Sequence, residues 1–278
     1  MARTALLTTF AMLAFAGNSL LCRLALRDTG IDAASFTAIR LGSGALILAA
    51  LLMLRGMRPT AGGSWPMAAM LFAYAVCFSF AYRDLTAATG ALLLFGAVQF
   101  TMTGYGLWTG ERVRGLRLAG LVLALGGLVW LLLPGLAAPP WLEATLMLAA
   151  GAAWGVYSLL GKGAGDPTAA TGGNFLRTLP FAAALMLATT AATAGTVDRT
   201  GALYAVLSGA VTSGLGYVLW YAALPRLRAT SAATVQLCVP AIAALGGAVL
   251  LAEPVTARLL AASVAVLGGI ALTIYRKN

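Results

Sequence analysis

The sequence predicts an all-α integral membrane protein with ten transmembrane helices, arranged as two inverted five-helix repeats around a central cavity. Three observations carry this prediction: the composition, ten apolar runs of membrane-spanning length, and an internal repeat. Of the 278 residues, 61% are hydrophobic and 9% are charged, whereas soluble globular domains carry about 25% charged residues. Because water could wet so little of such a surface, the chain needs lipid as its solvent.

The ten spans follow from the length of the apolar runs, since a membrane-crossing helix needs about 20 residues. A β-barrel strand would instead show about ten residues of alternating polarity. The first run is too long for the apolar part of a signal peptide and has a counterpart later in the chain, so we expect it to be retained. The predicted spans are 4–24, 33–55, 65–83, 86–109, 115–134, 141–162, 168–193, 200–224, 229–251 and 254–275.

The breaks between these runs are short and carry charged residues, glycine or proline. No soluble domain is therefore expected outside the bilayer. In chain order the breaks are Arg27 to Gly30, Arg55 to Gly63, Arg83-Asp84, Glu111 to Arg117, Pro134 to Pro140, Gly163 to Pro167, Asp198-Arg199, Pro225 to Arg228, and Glu253-Pro254.

The basic residues indicate the orientation in the membrane. If the N-terminus is cytoplasmic, eleven of the 18 basic residues lie on the cytoplasmic side, five lie on the opposite side, and two lie inside helices. The positive-inside rule then places both termini in the cytoplasm, in a bacterial inner membrane. The net charge of +10 is explained by this topology. Since no basic patch is interleaved with aromatic residues, no nucleic-acid partner is expected.

Cysteine, histidine and glycine patterns argue against an enzyme. The three cysteines, Cys22, Cys77 and Cys238, show no CxxC spacing and are expected to be small buried hydrophobes, with no metal and no cofactor. There is no histidine, so a nucleophile–base pair or metal cluster at membrane depth is not expected. The run from Gly155 to Lys162 does not have the spacing of a phosphate-binding loop, so ATP hydrolysis is not expected either.

An internal repeat divides the chain into two units, residues 1–137 and 138–278. A shift of 142 residues places Glu111 on Glu253, and earlier in the chain a slightly smaller shift places Arg40 on Arg177. Because each unit holds five spans, the second must enter the bilayer from the opposite side. Inverted repeats recur in secondary transporters, where a central site lies between the two units. Chance similarity between Ala/Leu/Gly-rich helices is the alternative.

Three segments carry a family resemblance. The segment from Gly110-Glu111 through Leu116 and Gly120 to Gly126-Gly127 resembles the hallmark of the ten-helix drug/metabolite transporter superfamily, at its fourth and fifth helices. The segment from Glu253 to Gly268-Gly269 resembles a second copy, with Ala262 in place of a glycine. Trp154-Gly155 followed by Lys162 resembles the first-helix motif, whereas the first copy departs from it with Phe15-Ala16 and Arg23.

The overall pattern is most similar to the aromatic amino acid exporter branch of that superfamily. The resemblance implies a secondary transporter that exports aromatic or other neutral amino acids and related metabolites through a cavity walled by both units. The partners would then be a small-molecule substrate and the lipid bilayer, with the protein acting as a monomer. Efflux of drugs or organic cations is the alternative within the same superfamily.

Charged residues at membrane depth are costly and are therefore functional candidates. All eight acidic residues lie at or near span ends, so no carboxylate relays protons at the midplane and facilitated diffusion is expected. Arg40 and Arg177 lie about 10–14 Å inside their helices, at 1.5 Å per residue. One expectation is that their side chains snorkel to the interface or stabilise helix packing by hydrogen bonds to backbone carbonyls. The alternative is that each forms an ion pair with the Glu of the other unit, as part of a gate. Glu111 and Glu253 are expected to cap the helices that follow them.

Aromatic and uncharged polar residues near the midplane are the candidates for the cavity wall. Tyr74, Phe78 and Tyr82 recur every four residues and form one stripe on the third helix. Packing or lipid contact is the alternative for each residue taken singly. The other candidates are Asn18, Phe95, Gln99, Trp154, Tyr157, Tyr217, Trp220 and Gln236.

Two helices are candidate hinges. Pro240 is predicted to kink the ninth helix near its centre and to free the carbonyl of Gln236, which protein or cavity water must then satisfy. In the fourth helix, Gly96 and Gly104 would permit bending. The alternative is that these glycines only allow helices to pack closely.

Overall fold

The computed structural model describes residues 2–110, 115–135, 138–161, 165–192, 195–223, 235–236 and 238–274. These ranges contain ten main helices and no strand. Helix α8 is continuous but has a π-helical segment, Leu207–Leu215. The helices are α1 Ala2–Asp28, α2 Ala33–Leu54, α3 Trp65–Ala81, α4 Ala87–Trp108, α5 Leu116–Leu132, α6 Trp141–Leu160, α7 Pro167–Ala192, α8 Arg199–Ala223, α9 Cys238–Leu251 and α10 Ala257–Ile274.

The helix bounds lie close to the predicted spans for α1 to α8. Helix α10 begins at Ala257, after Pro254, and the first part of the predicted ninth span, residues 229–234, lies outside the described residues. Five helices, α1, α2, α4, α6 and α8, are long and apolar enough to cross a membrane. Helices α3, α5, α9 and α10 are apolar but shorter. The chain is a multi-pass membrane protein.

The main helix contacts between the two halves of the chain come in related pairs. If each helix is replaced by the helix five places before or after it in the chain, a contact between the halves becomes a second pair of helices. Almost every such second pair is also in contact in the structure. Three contacts map onto themselves: α2 with α7, α4 with α9, and α5 with α10. The others exchange as α3–α6 with α1–α8, α4–α6 with α1–α9, and α2–α8 with α3–α7.

Helices α5 and α10 cross closely at two glycines that occupy equivalent positions of the sequence repeat. A Cβ on Gly127 would lie 2.7 Å from the Cβ of Ala265. A Cβ on Gly269 would lie 2.5 Å from the carbonyl oxygen of Gly120 and 2.6 Å from the nitrogen of Ala124. Small residues of this kind let membrane helices approach backbone to backbone.

The loops at one end of the bundle join the two halves of the chain. We call this the distal end, because it lies opposite the N-terminus. The side chain of Asp32 caps α2 and also accepts a hydrogen bond from the Thr196 nitrogen at 2.9 Å. Asp198 caps α8 at Gly201 and accepts from the nitrogen of Gly30. The α1–α2 and α7–α8 loops are therefore held together by two carboxylates.

Both carboxylates should make stability depend on pH. Partial burial alone would raise the pKa of Asp32, but hydrogen bonds from Ser35, Thr196 and Ala34 outweigh it and leave the pKa below its ordinary value. Hydrogen bonds from the Gly201 and Gly30 nitrogens lower the pKa of Asp198. Their stabilisation is therefore complete above the unfolded-state pKa of about 3.9 and is lost as the pH falls through the lower folded-state values.

We expect the melting temperature in detergent to be steady from pH 7 to about pH 5 and to fall below about pH 4. The double variant Asp32→Asn, Asp198→Asn should melt lower at pH 7 and should lose less on acidification. An acid-induced decrease as large in the double variant as in the parent would show that other groups cause it.

The π-helical segment of α8 packs against α2 through Gly209. A Cβ at this position would overlap the carbonyl oxygen of Arg40. The backbone of α2 cannot move aside as the end of a flexible side chain can. We therefore expect Gly209→Leu to destabilise the protein by about 3 kcal/mol or more. Gly42→Leu is the matched control, because nothing lies within 4 Å of a Cβ there. Equal melting temperatures for the two variants would contradict this packing.

Candidate functional site

A small cavity lies in the centre of the bundle, where α1, α3, α4, α6 and α8 meet. Its volume is about 20 Å³, enough for about one water molecule. Both halves of the chain contribute to the wall, and most of the wall is aromatic. The lining residues are Phe15, Asn18, Ser19, Tyr74, Phe78, Leu94, Phe95, Trp154, Thr212 and Tyr217.

Trp154 of α6 is the centre of the aromatic part of this wall. Its ring centroid lies 5.1 Å from that of Tyr74, 4.9 Å from that of Tyr217 and 6.4 Å from that of Phe15. On its other side it stacks on Tyr157, at 5.4 Å. The rings of Tyr74 and Tyr217 are tilted relative to Trp154, and that of Phe15 is edge to face. Rings from α1, α3, α6 and α8 thus close on one point.

Asn18 of α1 is the centre of the polar part. Its Oδ1 accepts hydrogen bonds from the hydroxyls of Ser208, at 2.7 Å, and Thr212, at 3.3 Å. Its Nδ2 donates to the hydroxyl of Tyr74, at 3.2 Å. The amide therefore links α1 to α3 and to the π-helical segment of α8, so that it joins the two halves of the chain at the cavity.

Arg40 of α2 lies directly behind the wall and is 1% exposed. Its Nη2 donates to the Tyr74 hydroxyl at 3.1 Å, and its Nε donates to the Ser213 hydroxyl at 3.3 Å. The guanidinium carbon lies 5.2 Å and 4.9 Å from the ring centroids of Tyr74 and Phe78. Its Nη1 has no hydrogen-bond partner in the part of the chain that the structure describes.

The surroundings of Arg40 differ from each sequence-based expectation. The side chain does not snorkel, its hydrogen bonds go to hydroxyls and not to carbonyls, and no acidic partner stands within ion-pair distance among the described residues. Arg177 behaves as the packing alternative expected: its Nη1 donates to the carbonyls of Gly62, at 2.7 Å, and Gly173, at 2.9 Å. The two arginines that the predicted repeat aligns therefore have different surroundings.

An ion pair with little solvent exposure lies at the distal end. Arg23 Nε lies 2.9 Å from Glu253 Oε1, and the two side chains are 11% and 6% exposed. Glu253 Oε2 accepts the backbone N–H of Ala87, at 2.8 Å. Arg23 Nη1 donates to the carbonyls of Tyr82 and Arg83. We call Arg23, Glu253 and these backbone partners the distal clamp.

The distal clamp corrects the role expected for Glu253. The sequence predicted that this carboxylate caps the helix that follows it, but α10 begins only at Ala257. Glu253 instead caps α4 of the other half, because Ala87 is the first residue of that helix. The repeat counterparts of the ion pair, Glu111 and Lys162, lie outside the described residues.

Of the predicted wall residues, Asn18, Tyr74, Phe78, Phe95, Trp154 and Tyr217 lie in the wall of the cavity. The others lie elsewhere. Tyr82 stands about 12 Å from Tyr74 along the helix axis, beyond the cavity. Its hydroxyl donates to the Ala87 carbonyl at 3.3 Å. Tyr157 accepts from Asn174, Trp220 packs on Phe15, and Gln99 donates to Thr103 on its own helix. Gln236 is not a lining residue.

The structure shows the surroundings of two of the three candidate hinges, Gly96 and Gly104. A Cβ on Gly96 would lie 3.0 Å from the side chain of Leu128, so this glycine serves close packing with α5. Nothing lies within 4 Å of a Cβ on Gly104. Pro240 is the third residue of the described part of α9, Cys238–Leu251; residues 235–236 are also helical and residue 237 lies outside the described residues, so the predicted kink stays a prediction.

Four wall residues were not predicted: Phe15, Ser19, Leu94 and Thr212. Two of them had a signal in the sequence. Phe15 is the repeat counterpart of Trp154, and both rings face the cavity. Ser19 follows Asn18 directly on α1. Leu94 and Thr212 carry no pattern that separates them from ordinary helix residues, and Thr212 is placed by the π-helical segment of α8.

A second, larger space of about 410 Å³ lies between α5 and α10. Its lining residues offer no charged side chain and only one polar side-chain atom, the indole nitrogen of Trp130. They are Val122, Leu123, Gly126, Gly127, Trp130, Ala261 and Ala265. Such a groove suits an acyl chain better than a metabolite, so the central cavity is the candidate site.

Comparison with known proteins agrees with the helical architecture. Residues 141–275 match the EamA-like transporter family. The uncharacterized protein PA1977 of Pseudomonas aeruginosa is 61% identical over 271 residues, covering 97% of this chain and 94% of that protein. A protein crystal structure with 19% identity superposes with a TM-score of 0.66 over 97% of this chain and 96% of that chain, which shows the shared fold. The chain belongs to the EamA-like transporter family of the drug/metabolite transporter superfamily.

Proposed function

We propose that the protein is a secondary transporter that exports neutral amino acids, aromatic ones included, and related metabolites across the bacterial inner membrane. The observation that carries the proposal is the central cavity. It lies between the two halves of the chain, and its wall combines aromatic rings with uncharged polar groups. A site of this kind binds a small zwitterion without holding it so tightly that release becomes slow.

Alternating access is supported by the related helix contacts of the two halves. If residues 1–137 and 138–278 form an inverted repeat, exchanging their conformations opens the cavity to each side in turn. The distal clamp would then have a counterpart at the other end of the bundle, built on Glu111 and Lys162. The distribution of basic residues supports cytoplasmic termini, with the distal end toward the periplasm.

The cavity, at about 20 Å³, is smaller than any amino acid. Binding therefore requires the helices around it to separate, as expected for a conformation between the two open states. The aromatic faces would receive the ammonium or the apolar side chain of the substrate. Organic-cation efflux is less well supported, because the buried charge of Arg40 directly behind the wall repels a cation.

Facilitated diffusion remains our proposal for the energetics. Among the described residues no carboxylate lines the cavity, and Glu253 is held in the distal clamp. A proton-coupled carrier normally needs a titratable group that reaches the substrate site. The gradient of the substrate itself would then drive export.

Uptake of radiolabelled amino acids into proteoliposomes tests this function. With purified protein we expect saturable uptake that exceeds that of protein-free liposomes at least tenfold and that changes less than twofold when a pH gradient is dissipated. Uptake that collapses with the gradient would contradict facilitated diffusion. Uptake no faster than in protein-free liposomes, for amino acids and related metabolites alike, would contradict the proposed function.

A further inference from the structure

We propose that Arg40 is the binding group for a carboxylate of the transported molecule, so that the transporter accepts carboxylates and rejects the matching amides. This inference rests on the proposed function and names the substrate class for the same site. It predicts selection by one charged group, whatever side chain the substrate carries.

The first argument is the unbalanced charge of Arg40. A guanidinium stays protonated in proteins, and a buried charge is costly unless a partner neutralises it. Among the described residues the ion pairs are Arg23 with Glu253 and Arg27 with Asp28, and neither includes Arg40. Two hydroxyls and two ring faces hold the cation, but none of them carries a negative charge. An anionic substrate would supply the missing charge.

The second argument is the position of the free donors. Nη1 of Arg40 is buried and has no partner among the described residues. The oxygen of Tyr74 accepts from both Arg40 and Asn18, which leaves its own hydrogen for another acceptor. Tyr74 and Phe78 both contact the guanidinium and both line the cavity. A small separation of these rings would bring a carboxylate onto Nη1 and the Tyr74 hydroxyl.

The third argument identifies the anion as a carboxylate. One guanidinium matches one negative charge, and Nη1 together with the Tyr74 hydroxyl offers one donor to each oxygen of a carboxylate. A phosphate dianion would need further donors, but the amide of Asn18 already bonds to Tyr74, Ser208 and Thr212. The rest of the wall is largely aromatic. A carboxylate with an apolar or aromatic body therefore fits this wall best.

Arg177 provides an internal contrast. It occupies the equivalent position in the second half, yet its Nη1 is satisfied by two backbone carbonyls. The structure therefore assigns the carboxylate to one arginine only, and Arg177→Gln is the matched control for Arg40→Gln. Both variants remove one guanidinium from a position that the predicted repeat aligns, so a general effect of charge removal would appear in both.

Ligand-induced shifts of the melting temperature in detergent test the assignment without requiring transport. We expect phenylalanine and 3-phenylpropionate to stabilise the wild type, and phenylalaninamide to need at least tenfold higher concentration for the same shift. Arg40→Gln should weaken binding of both carboxylates at least tenfold and should leave the amide unchanged. Arg177→Gln should keep the preference for carboxylates even if it melts lower.

The assignment has two safeguards against misfolding of Arg40→Gln. The wild-type comparison of acid with amide needs no variant, and Tyr74→Phe should weaken binding of the carboxylates selectively while keeping the ring. Equal binding of acid and amide by the wild type would overturn the assignment, as would loss of the preference in Arg177→Gln. If wild-type proteoliposomes transport the carboxylates and the amide equally, only the assignment of Arg40 fails. If neither series binds or moves, the proposed function fails with it.

Discussion

Glu253→Gln should open the distal end of the protein and raise the labelling rate of Cys22 about tenfold or more. Cys22 precedes Arg23 on α1 and is fully buried, so its thiol is shielded while the distal clamp is closed. Breaking a buried ion pair costs about 3–5 kcal/mol, and about 1.4 kcal/mol already changes an equilibrium tenfold. Glutamine keeps the size and the acceptor for the Ala87 nitrogen, so the charge alone is removed.

The measurement is the rate at which a membrane-impermeant maleimide modifies Cys22, with Cys77 and Cys238 replaced by alanine. Asp28→Asn is the matched control, because it breaks the neighbouring ion pair with Arg27. In that pair the side chain of Arg27 is 33% exposed and that of Asp28 is 39% exposed. Exposed pairs contribute about 0–1 kcal/mol, so this variant should label like the parent. Unchanged labelling in Glu253→Gln, or an equal rise in Asp28→Asn, would show that the clamp does not hold the distal end closed.

Trp154→Ala should lower the initial rate of amino acid uptake at least tenfold. The ring contacts Phe15, Tyr74, Tyr157 and Tyr217, so its loss removes the centre of the wall. Truncating a buried tryptophan costs about 3–5 kcal/mol of stability. The rate must therefore be measured per folded protein, with the folded fraction taken from size-exclusion chromatography of the reconstituted sample.

Two controls separate loss of the wall from general damage. Trp108→Ala removes a tryptophan that is 89% exposed and should leave uptake within twofold of the parent. Gln99→Ala should do the same, because the Gln99 amide bonds to Thr103 on its own helix and does not line the cavity. Wild-type uptake by folded Trp154→Ala would remove this ring from the site.

The helices could be predicted closely because run length and backbone hydrogen bonding limit what crosses a membrane. The bounds of α1 to α8 follow the apolar runs within a few residues. The positions of Asn18 and Trp154 in the wall also had a local signal, since both are polar or aromatic residues inside apolar spans.

The partners of the charged residues could not be predicted, because they depend on how distant helices pack. Glu253 meets Arg23 across 230 positions of sequence, and no local pattern contains that pairing. Arg40 and Arg177 have the same type and the same repeat position. They differ because Arg40 faces rings of α3, whereas Arg177 meets the carbonyl of Gly62 in the loop before it.

A counterflow measurement in proteoliposomes tests most directly the central claim, that the protein alternates the access of one site. Vesicles are loaded with unlabelled phenylalanine and diluted into a trace of labelled phenylalanine. An alternating carrier exchanges one for the other, so we expect a transient accumulation of label above its outside concentration, absent from protein-free vesicles. A monotonic rise to equal concentrations, as through a channel, would contradict the account.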